Sequence, residues 1–284
     1  MQILSTKNDL QAVVKTCRNA NQTIGLVPTM GALHDGHASL VKRCVAENDV
    51  CVVSVFVNPT QFNNKEDLRK YPRNLDRDAA FLSSLGASYV FAPTPEEMYS
   101  PEEMQTTFAF DFAGLDQVME GKMRPGHFNG VVQVVSRLFY LVQPDRAYFG
   151  EKDFQQLAII HHLVERSSLK GTFGDLQICG CPIVREASGL ALSSRNELLS
   201  PEAKQLATNI SRILMLSREW TNDTVAAVQQ RVIDEINAIE GLEVEYYEIV
   251  DQTSLQPTTT FDNAIGCVTV YCGGVRLIDN VKYN

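Results

Sequence analysis

The sequence predicts an α/β protein, a Rossmann-like parallel sheet with helices on both faces, followed by a smaller C-terminal α+β domain. Three observations predict it. Strand-like runs at Thr23–Pro28, Val50–Val57, Ser88–Ala92 and Arg146–Phe149 alternate with segments of helical apolar spacing, as in a chain of βα units. The run Val50–Val57 is apolar and β-branched, which suits a parallel strand covered on both faces. Beyond Pro201 the order changes to two helices and then three strands, so a second domain is expected, with domains 1–183 and 184–284.

Length and composition set the outer limits. The 284 residues, 44% hydrophobic and 21% charged, are ample for a sizeable core in an ordinary globular protein. A net charge of -9 argues against a broad nucleic-acid-binding face. The start MQILSTKNDLQAVVK lacks the basic and apolar parts of a signal peptide, and no apolar run has membrane-spanning length, so a cytoplasmic location and no membrane partner are expected. Seven cysteines, an odd number spread over strand-like and helix-like segments, read as reduced, buried thiols. Cys179-x-Cys181 and Cys267-x4-Cys272 lack the spacing of a zinc knuckle.

The first helix is expected over 8–20, with Leu10, Val13, Val14 and Cys17 on one face. It leads to the strand Thr23–Pro28, then to a turn, Thr29 to His37, that carries two glycines and two histidines. Ala38, Leu40, Val41, Cys44 and Val45 follow at helical spacing. A strand that runs through a polar turn into a helix N-terminus is a place for a phosphate, because free N–H groups and the helix dipole favour an anion. His34 and His37, three residues apart, can face one ligand. They could instead be half of a metal site, but catalytic zinc needs a third ligand and the sequence has neither HExxH nor a Cys cluster.

The strand Val50–Val57 ends in Asn58-Pro59-Thr60-Gln61-Phe62, which brings Asn58 and Gln61 to the ligand edge of an open α/β sheet. The segment 65–85 reads as helix interrupted at Pro72, with Arg69, Arg73, Arg77, Asp76 and Asp78 as a solvated charged face. The proline-rich segment 93–101 reads as loop, 106–112 as a strand, 115–119 as a short helical turn, and Glu120–Phe128 as a flap over an anion. Helix resumes over 127–142.

After the strand Arg146–Phe149 the chain repeats the strand-to-helix step at Gly150-Glu151-Lys152-Asp153. Lys152 supplies a cation there, and Gln155 is expected to be left free of the buried stripe Phe154, Leu157, Ala158 and His161. His161 and His162 read as core-edge and surface residues. Asp175–Val184 reads as a strand at an edge or domain crossing because of Pro182. Ser193, Ser194 and Arg195 then offer two hydroxyls and a guanidinium to a polyphosphate. Helices over 201–219 and 223–239 and strands over 243–251, 264–272 and 275–279 complete the chain.

Six stretches, VPTMGALHDGH at 27–37, FVNPTQF at 56–62, EGKMRPGHFNGV at 120–131, PDRAYFGEKDFQQL at 144–157, GLALSSRN at 189–196 and RLIDN at 276–280, together resemble the pantoate–beta-alanine ligase family. The HxGH element within them is similar to that of the nucleotidyl-transferring superfamily that includes class I aminoacyl-tRNA synthetases. The loop 188–195 corresponds to that superfamily's KMSKS-like loop but departs from it, with one Arg and no Lys.

The resemblance implies ATP-dependent condensation of pantoate with beta-alanine through a pantoyl adenylate, in a homodimer, with Mg²⁺ accompanying ATP. It implies His34, His37, Lys152 and Arg195 as catalytic residues. ATP contacts are implied at Met30, Gly31, Ala32, Leu33, His34, Asp35, Gly36 and His37, at Gly150, Glu151, Lys152 and Asp153, and at Val184, Leu192, Ser193, Ser194 and Arg195. Gln61, Gln155 and Asn58 are implied to hold pantoate or beta-alanine; because the loop 188–196 lies just after the proposed domain crossing at Val184, the C-terminal domain is expected to act as a movable lid. Two rival readings keep less of this: simple nucleotidyl transfer without an amine acceptor, and a nonenzymatic nucleotide sensor, which the charged residues at His34, His37, Lys152 and Arg195 disfavour.

Overall fold

In the computed structural model, which describes residues 1–166 and 172–283, local sequence signals fix most element ends. Strand β1 (Gln2–Leu4) precedes α1 (Lys7–Asn19), whose Thr6 cap accepts from the Asp9 N–H at 3.1 Å. Strand β2 (Ile24–Thr29), α2 (Asp35–Glu47) and β3 (Val50–Val55) follow, then a 3₁₀ turn Pro59–Gln61. Pro72 divides the next region into α3 (Lys65–Lys70) and α4 (Leu75–Ser84), ahead of β4 (Tyr89–Phe91).

The expected loop at 93–101 is instead helical in part. Thr94 caps α5 (Pro95–Met98), and Ser100 with Glu103 forms a capping box on α6 (Pro101–Gln105). Each has proline in its first turn, where the missing N–H costs nothing, followed by two glutamates that complement the helix dipole.

The expected strand at 106–112 does not form. Its carbonyls are taken by side chains, Phe108 O by Asn129 Nδ2 at 2.8 Å and Asp111 O by His162 Nε2 at 2.9 Å, while Phe110 packs edge-on against Phe112 and His162. The alternation there reflects ring packing rather than a ladder. The expected turn at 115–119 lies just ahead of α7 (Met119–Met123), and α8 (His127–Val142) comes next. Strand β5 (Arg146–Gly150), a 3₁₀ turn Glu151–Asp153, α9 (Phe154–His161), a π-helical turn His162–Arg166 and β6 (Gln177–Cys181) lead to a 3₁₀ turn Ser194–Leu198. The chain ends with α10 (Pro201–Ser217), α11 (Val225–Asn237), β7 (Leu242–Asp251), β8 (Ala264–Cys272) and β9 (Val275–Lys282).

These elements form two compact units. The first comprises Met1–Gly114, Arg124–Gly150 and Ile159–Cys181. The second comprises Leu115–Met123, Glu151–Ala158 and Pro182–Asn284, so two segments ahead of Val184 group with the C-terminal residues.

The first unit is built on a six-stranded parallel sheet of order β1-β4-β3-β2-β5-β6. Val27, Cys51, Val53, Val90 and Tyr148 line one face and pack on Val41 and Cys44 of α2 and Leu82 of α4. On the other side α8 packs on β2, and α1 packs on α8. Gly25 is required by the closeness of α2, since a Cβ there would lie 2.4 Å from Cys44 Sγ. From β2 the chain steps to β3 on one side, whereas β5 lies on the other and leads outward to β6. The strand order therefore reverses between β2 and β5, the kind of switch point beyond which open α/β sheets bind ligands.

In the second unit β7, β8 and β9 form an antiparallel sheet with one face on α10 and α11. A β-bulge at Glu245 interrupts β7: Val244 pairs with Val270 and Tyr246 already with Thr269. Leu242 lies on the helix-covered face before the bulge, and Tyr247 and Ile249 lie there after it. All seven cysteines are free thiols, six of them buried. No helix among the described residues is long and apolar enough to cross a membrane.

Candidate active site

The anchor turn leaves β2 at Thr29, whose hydroxyl donates to Ser54 O at 2.6 Å and accepts from the Gly31 N–H at 3.2 Å. Gly31 (φ 83°) and Ala32 (φ 51°) are both left-handed, a conformation that costs an alanine about 1–2 kcal/mol. Asp78 of α4 holds it. Its carboxylate accepts from the Ala32 N–H at 3.0 Å and the Leu33 N–H at 2.9 Å. A Cβ on Gly31 would come within 2.9 Å of the same carboxylate. Asp78 is only 2% exposed, so its expected place on a solvated face is wrong. The 3.6-residue period places it with Leu82 on the inner side of α4, and two backbone donors satisfy its charge there.

His34 is the N-cap of α2, its Nδ1 accepting from the Gly36 N–H at 3.1 Å, and His37 Nδ1 accepts from the His34 N–H at 3.3 Å. A ring nitrogen that accepts from a backbone N–H carries no proton, so in each neutral ring the proton sits on Nε2. The capping box thus fixes the tautomer of both histidines and makes Nε2–H the donor of each. The rings lie 4.2 Å apart between centroids. Together with Asp35 and Gly36 they form a helix start whose dipole and ring donors are suited to an anion.

At the end of β3, Asn58 and Gln61 divide their work. Asn58 Nδ2 donates to Gln61 Oε1 at 3.1 Å and Gly130 O at 3.0 Å, while Oδ1 accepts from Tyr99 and Thr60. Burial raises the Tyr99 phenol above its ordinary range and keeps it a donor. Both halves of the Asn58 amide are therefore committed within the protein. Gln61 is held with its Nε2 toward Met30 Sδ at 3.1 Å, and His127 Nδ1 donates to its backbone carbonyl at 2.8 Å. Gly130 of α8 lets this turn approach, since a Cβ there would meet Thr60 O at 2.4 Å.

In the second unit Lys152 sits on the 3₁₀ turn Glu151–Asp153, just after Gly150 of β5. It lines a cavity with Leu190, Ser193, Asn196, Ser211 and Asp279. Asn196 Nδ2 donates to Ala191 O at 3.0 Å, and its buried Oδ1 has no partner among the described residues. Ser193 caps the turn that carries Ser194 and Arg195, its Oγ accepting from the Arg195 N–H at 3.3 Å. The loop is closed by the Leu192 N–H donating to Val184 O at 3.0 Å.

Gln155 is not free of the buried stripe as expected. It is 4% exposed, and its Nε2 donates to Leu115 O at 2.7 Å and Val118 O at 2.9 Å. Its buried Oε1 is left without a partner among the described residues, so the atom it can offer is an acceptor.

The segment that holds Gln155 is itself fixed by Glu120, which the sequence placed in a flap. Arg276 donates to both Glu120 oxygens at 2.7 Å, Tyr246 and Thr269 donate to Oε1, and Arg276 also pairs with Glu245. The bulge in β7 brings consecutive residues Glu245 and Tyr246 to this one face. Sequence reading missed Asp78, Glu120 and Arg276. The one available signal was for Asp78, which lies one helical turn before Leu82 on α4.

A parallel sheet with a switch point, a histidine-bearing helix start beyond its central strand and an appended antiparallel unit together define a nucleotide-binding α/β scaffold of the HxGH class. Residues 2–282 match the model of the pantoate-beta-alanine ligase family, and the chain belongs to that family. It is 57% identical to a pantothenate synthetase of Phocaeicola vulgatus, over 100% of this chain and 99% of that protein. It is 55% identical to one of Bacteroides thetaiotaomicron over the same shares. A pantothenate synthetase structure from Thermus thermophilus superposes with a TM-score of 0.90 at 41% identity, covering 100% of this chain and 99% of that one. A pantoate-beta-alanine ligase from Francisella tularensis, complexed with beta-gamma ATP and beta-alanine, gives 0.81 at 35% identity, with 100% and 98% covered. The chain is accordingly an ATP-using ligase of pantothenate biosynthesis.

Proposed function

We propose that the residues above carry out two successive transfers. The pantoate carboxylate attacks the α-phosphorus of ATP, the bond to the bridging oxygen breaks, and pyrophosphate leaves. The amine of beta-alanine then attacks the carbonyl carbon of pantoyl adenylate, the C–O bond breaks, and AMP leaves.

The observation that carries this reading is the histidine pair locked with Nε2–H as donor at the start of α2. Phosphoryl transfer asks the protein for positioning and for charge stabilisation, which such donors supply. His34 and His37 are read as phosphate contacts, with the His37 Nε2–H donating a hydrogen bond to the leaving oxygen. Lys152 and Arg195 stabilise the growing charge, and Ser193 and Ser194 bind phosphate. The backbone of Met30 to Gly36, of Gly150 to Asp153 and at Val184 and Leu192 is read as lining the nucleotide.

Gln61 Nε2 is a donor suited to the pantoate carboxylate, and Gln155 Oε1 an acceptor suited to a pantoate hydroxyl. Asn58, whose amide is committed internally, is read as the residue that orients Gln61. Among the described residues no three His, Cys, Asp or Glu side chains stand together as a metal cage. Mg²⁺ is therefore read as arriving on the phosphates of ATP with water completing its ligands, and no step is assigned to it.

A homodimer and a cytoplasmic location belong to the same reading, on the strength of the family. The test supplies ATP and pantoate with and without beta-alanine and follows pyrophosphate and AMP separately. Pyrophosphate without beta-alanine, and AMP release only with it, is the expected pattern. AMP released at the same rate in both would remove the bound adenylate. For His37→Ala, a loss of roughly 10²–10³-fold in pyrophosphate release is expected, as for one oxyanion donor.

A further inference from the structure

The turn that carries Lys152 is tied to β9 by a side-chain amide. Asn280 of β9 is 4% exposed, and its Nδ2 spends both hydrogens on successive carbonyls of that turn, Glu151 O at 2.9 Å and Lys152 O at 3.0 Å. Two residues along the same face of the strand, Lys282 Nζ reaches the Glu151 carboxylate at 2.8 Å and lies over the Phe154 ring.

The opposite face fixes Asn280 in turn. Asp279, 5% exposed, accepts from Arg185 at 2.7 and 2.9 Å, from Ser211 Oγ at 2.8 Å and from the Asn280 N–H at 2.8 Å. With four hydrogen bonds its carboxylate is satisfied. It lines the same cavity as Lys152 and forms no ion pair with it among the described residues. The Arg185 guanidinium, presented as a fork, leaves the Lys152 ammonium to other anions.

From this geometry we infer that Asn280 is a positioning residue for Lys152, fixing the turn so that the ammonium meets a nucleotide phosphate. The inference rests on the reading of Lys152 given under Proposed function. Two neutral hydrogen bonds hold the turn, so their loss should lower adenylation by about 30-fold. A residue that only stabilises the fold would produce a different pattern, because its effect would not depend on Lys152.

The experiment is a double-mutant cycle on the full chain, with Asn280→Ala and Lys152→Ala alone and together. Pyrophosphate release from ATP and pantoate is read as kcat/KM, and Tm is read for each protein. The expected result is a loss of about 30-fold on Asn280→Ala when Lys152 is present, less than about threefold when it is absent, and the same Tm change in both backgrounds. Equal loss in both backgrounds overturns the inference, since Asn280 would then act without Lys152. If Lys152→Ala alone retains wild-type kcat/KM, the reading of Lys152 fails first and takes the inference with it. If Asn280→Ala does not fold, the isosteric Asn280→Asp, which turns an oxygen toward the two carbonyls, enters the same cycle under the same criteria.

Discussion

Replacing Asp78 by asparagine tests whether the anchor turn is held from behind. The new side chain keeps the volume of the old one but has one acceptor where two N–H groups, of Ala32 and Leu33, now point. One N–H must lose its charge-assisted bond, worth about 1.5–3 kcal/mol, and face an NH₂ group instead. Ala32, at φ 51°, then keeps its left-handed strain of about 1–2 kcal/mol with less to hold it. The lost bond amounts to about 1.5–3 kcal/mol at a buried position, while the strain is already present and only loses its restraint, so part will appear as lower stability and part as a displaced turn. If most of it falls on the transition state, kcat/KM for pyrophosphate release drops roughly 10- to 150-fold. The assay is carried out well below the Tm of the variant. Its companion supplies pre-made pantoyl adenylate with beta-alanine, a step in which the β- and γ-phosphates of ATP take no part and which should fall much less. Wild-type kcat/KM in a folded Asp78→Asn protein, or equal losses in both assays, would refute the argument.

Three further outcomes follow from the same geometry. Gln61→Ala is expected to weaken pantoate by about 1–3 kcal/mol and spare ATP, read by titrating each ligand separately; unchanged pantoate affinity removes Gln61 from that role. Arg276→Met leaves the Glu120 and Glu245 carboxylates, 13% and 17% exposed, without their cation, and should cost about 3–5 kcal/mol in denaturant unfolding; a loss under about 1 kcal/mol would mean that the network is not a clamp. The hydrogen bond from Arg137, followed by that from the Ser100 N–H, holds the Glu103 carboxyl down at about 2 against an ordinary 4.5. A carboxyl lowered on folding contributes stability that is complete above the unfolded value and is lost as pH falls through the folded one, so Glu103→Gln should flatten the acid limb between about pH 4.5 and 2. A limb unchanged in that window would count against the pair.

The inner strands of the parallel sheet were legible because they are largely buried on both faces and the helices on one, whereas the edge strand β1, with Gln2 and Ile3 exposed, was not read. The anchor turn was legible because the period changes at Pro28 and returns after His37. Residues that act through the backbone of another segment escaped. Asp78 and Glu120 look like solvent charges in sequence, because the donors that satisfy them lie 45 or more residues away in the chain, at Leu33, Tyr246, Thr269 and Arg276. Gln155 was placed on the right turn but with the wrong exposure. Helical spacing assigns a side to a residue but cannot reveal that carbonyls of Leu115 and Val118 come to meet it. The short helices at 95–105 were hidden by their prolines, which the capping residues Thr94 and Ser100 reinterpret as helix starts.

The bulge at Glu245 works as a phase shifter. Ahead of it the even-numbered Leu242 turns toward α10 and α11; beyond it the odd-numbered Tyr247 and Ile249 do. A strand with a side-chain period of two tolerates one extra residue only where the change of parity is wanted. Deleting Glu245 would therefore do more than remove one partner of Arg276. It would restore strict alternation, and either Leu242 or the pair Tyr247 and Ile249 would have to exchange core for the opposite face. Single-residue insertions and deletions in β7 are thus expected to be far less tolerated than substitutions of Glu245 itself.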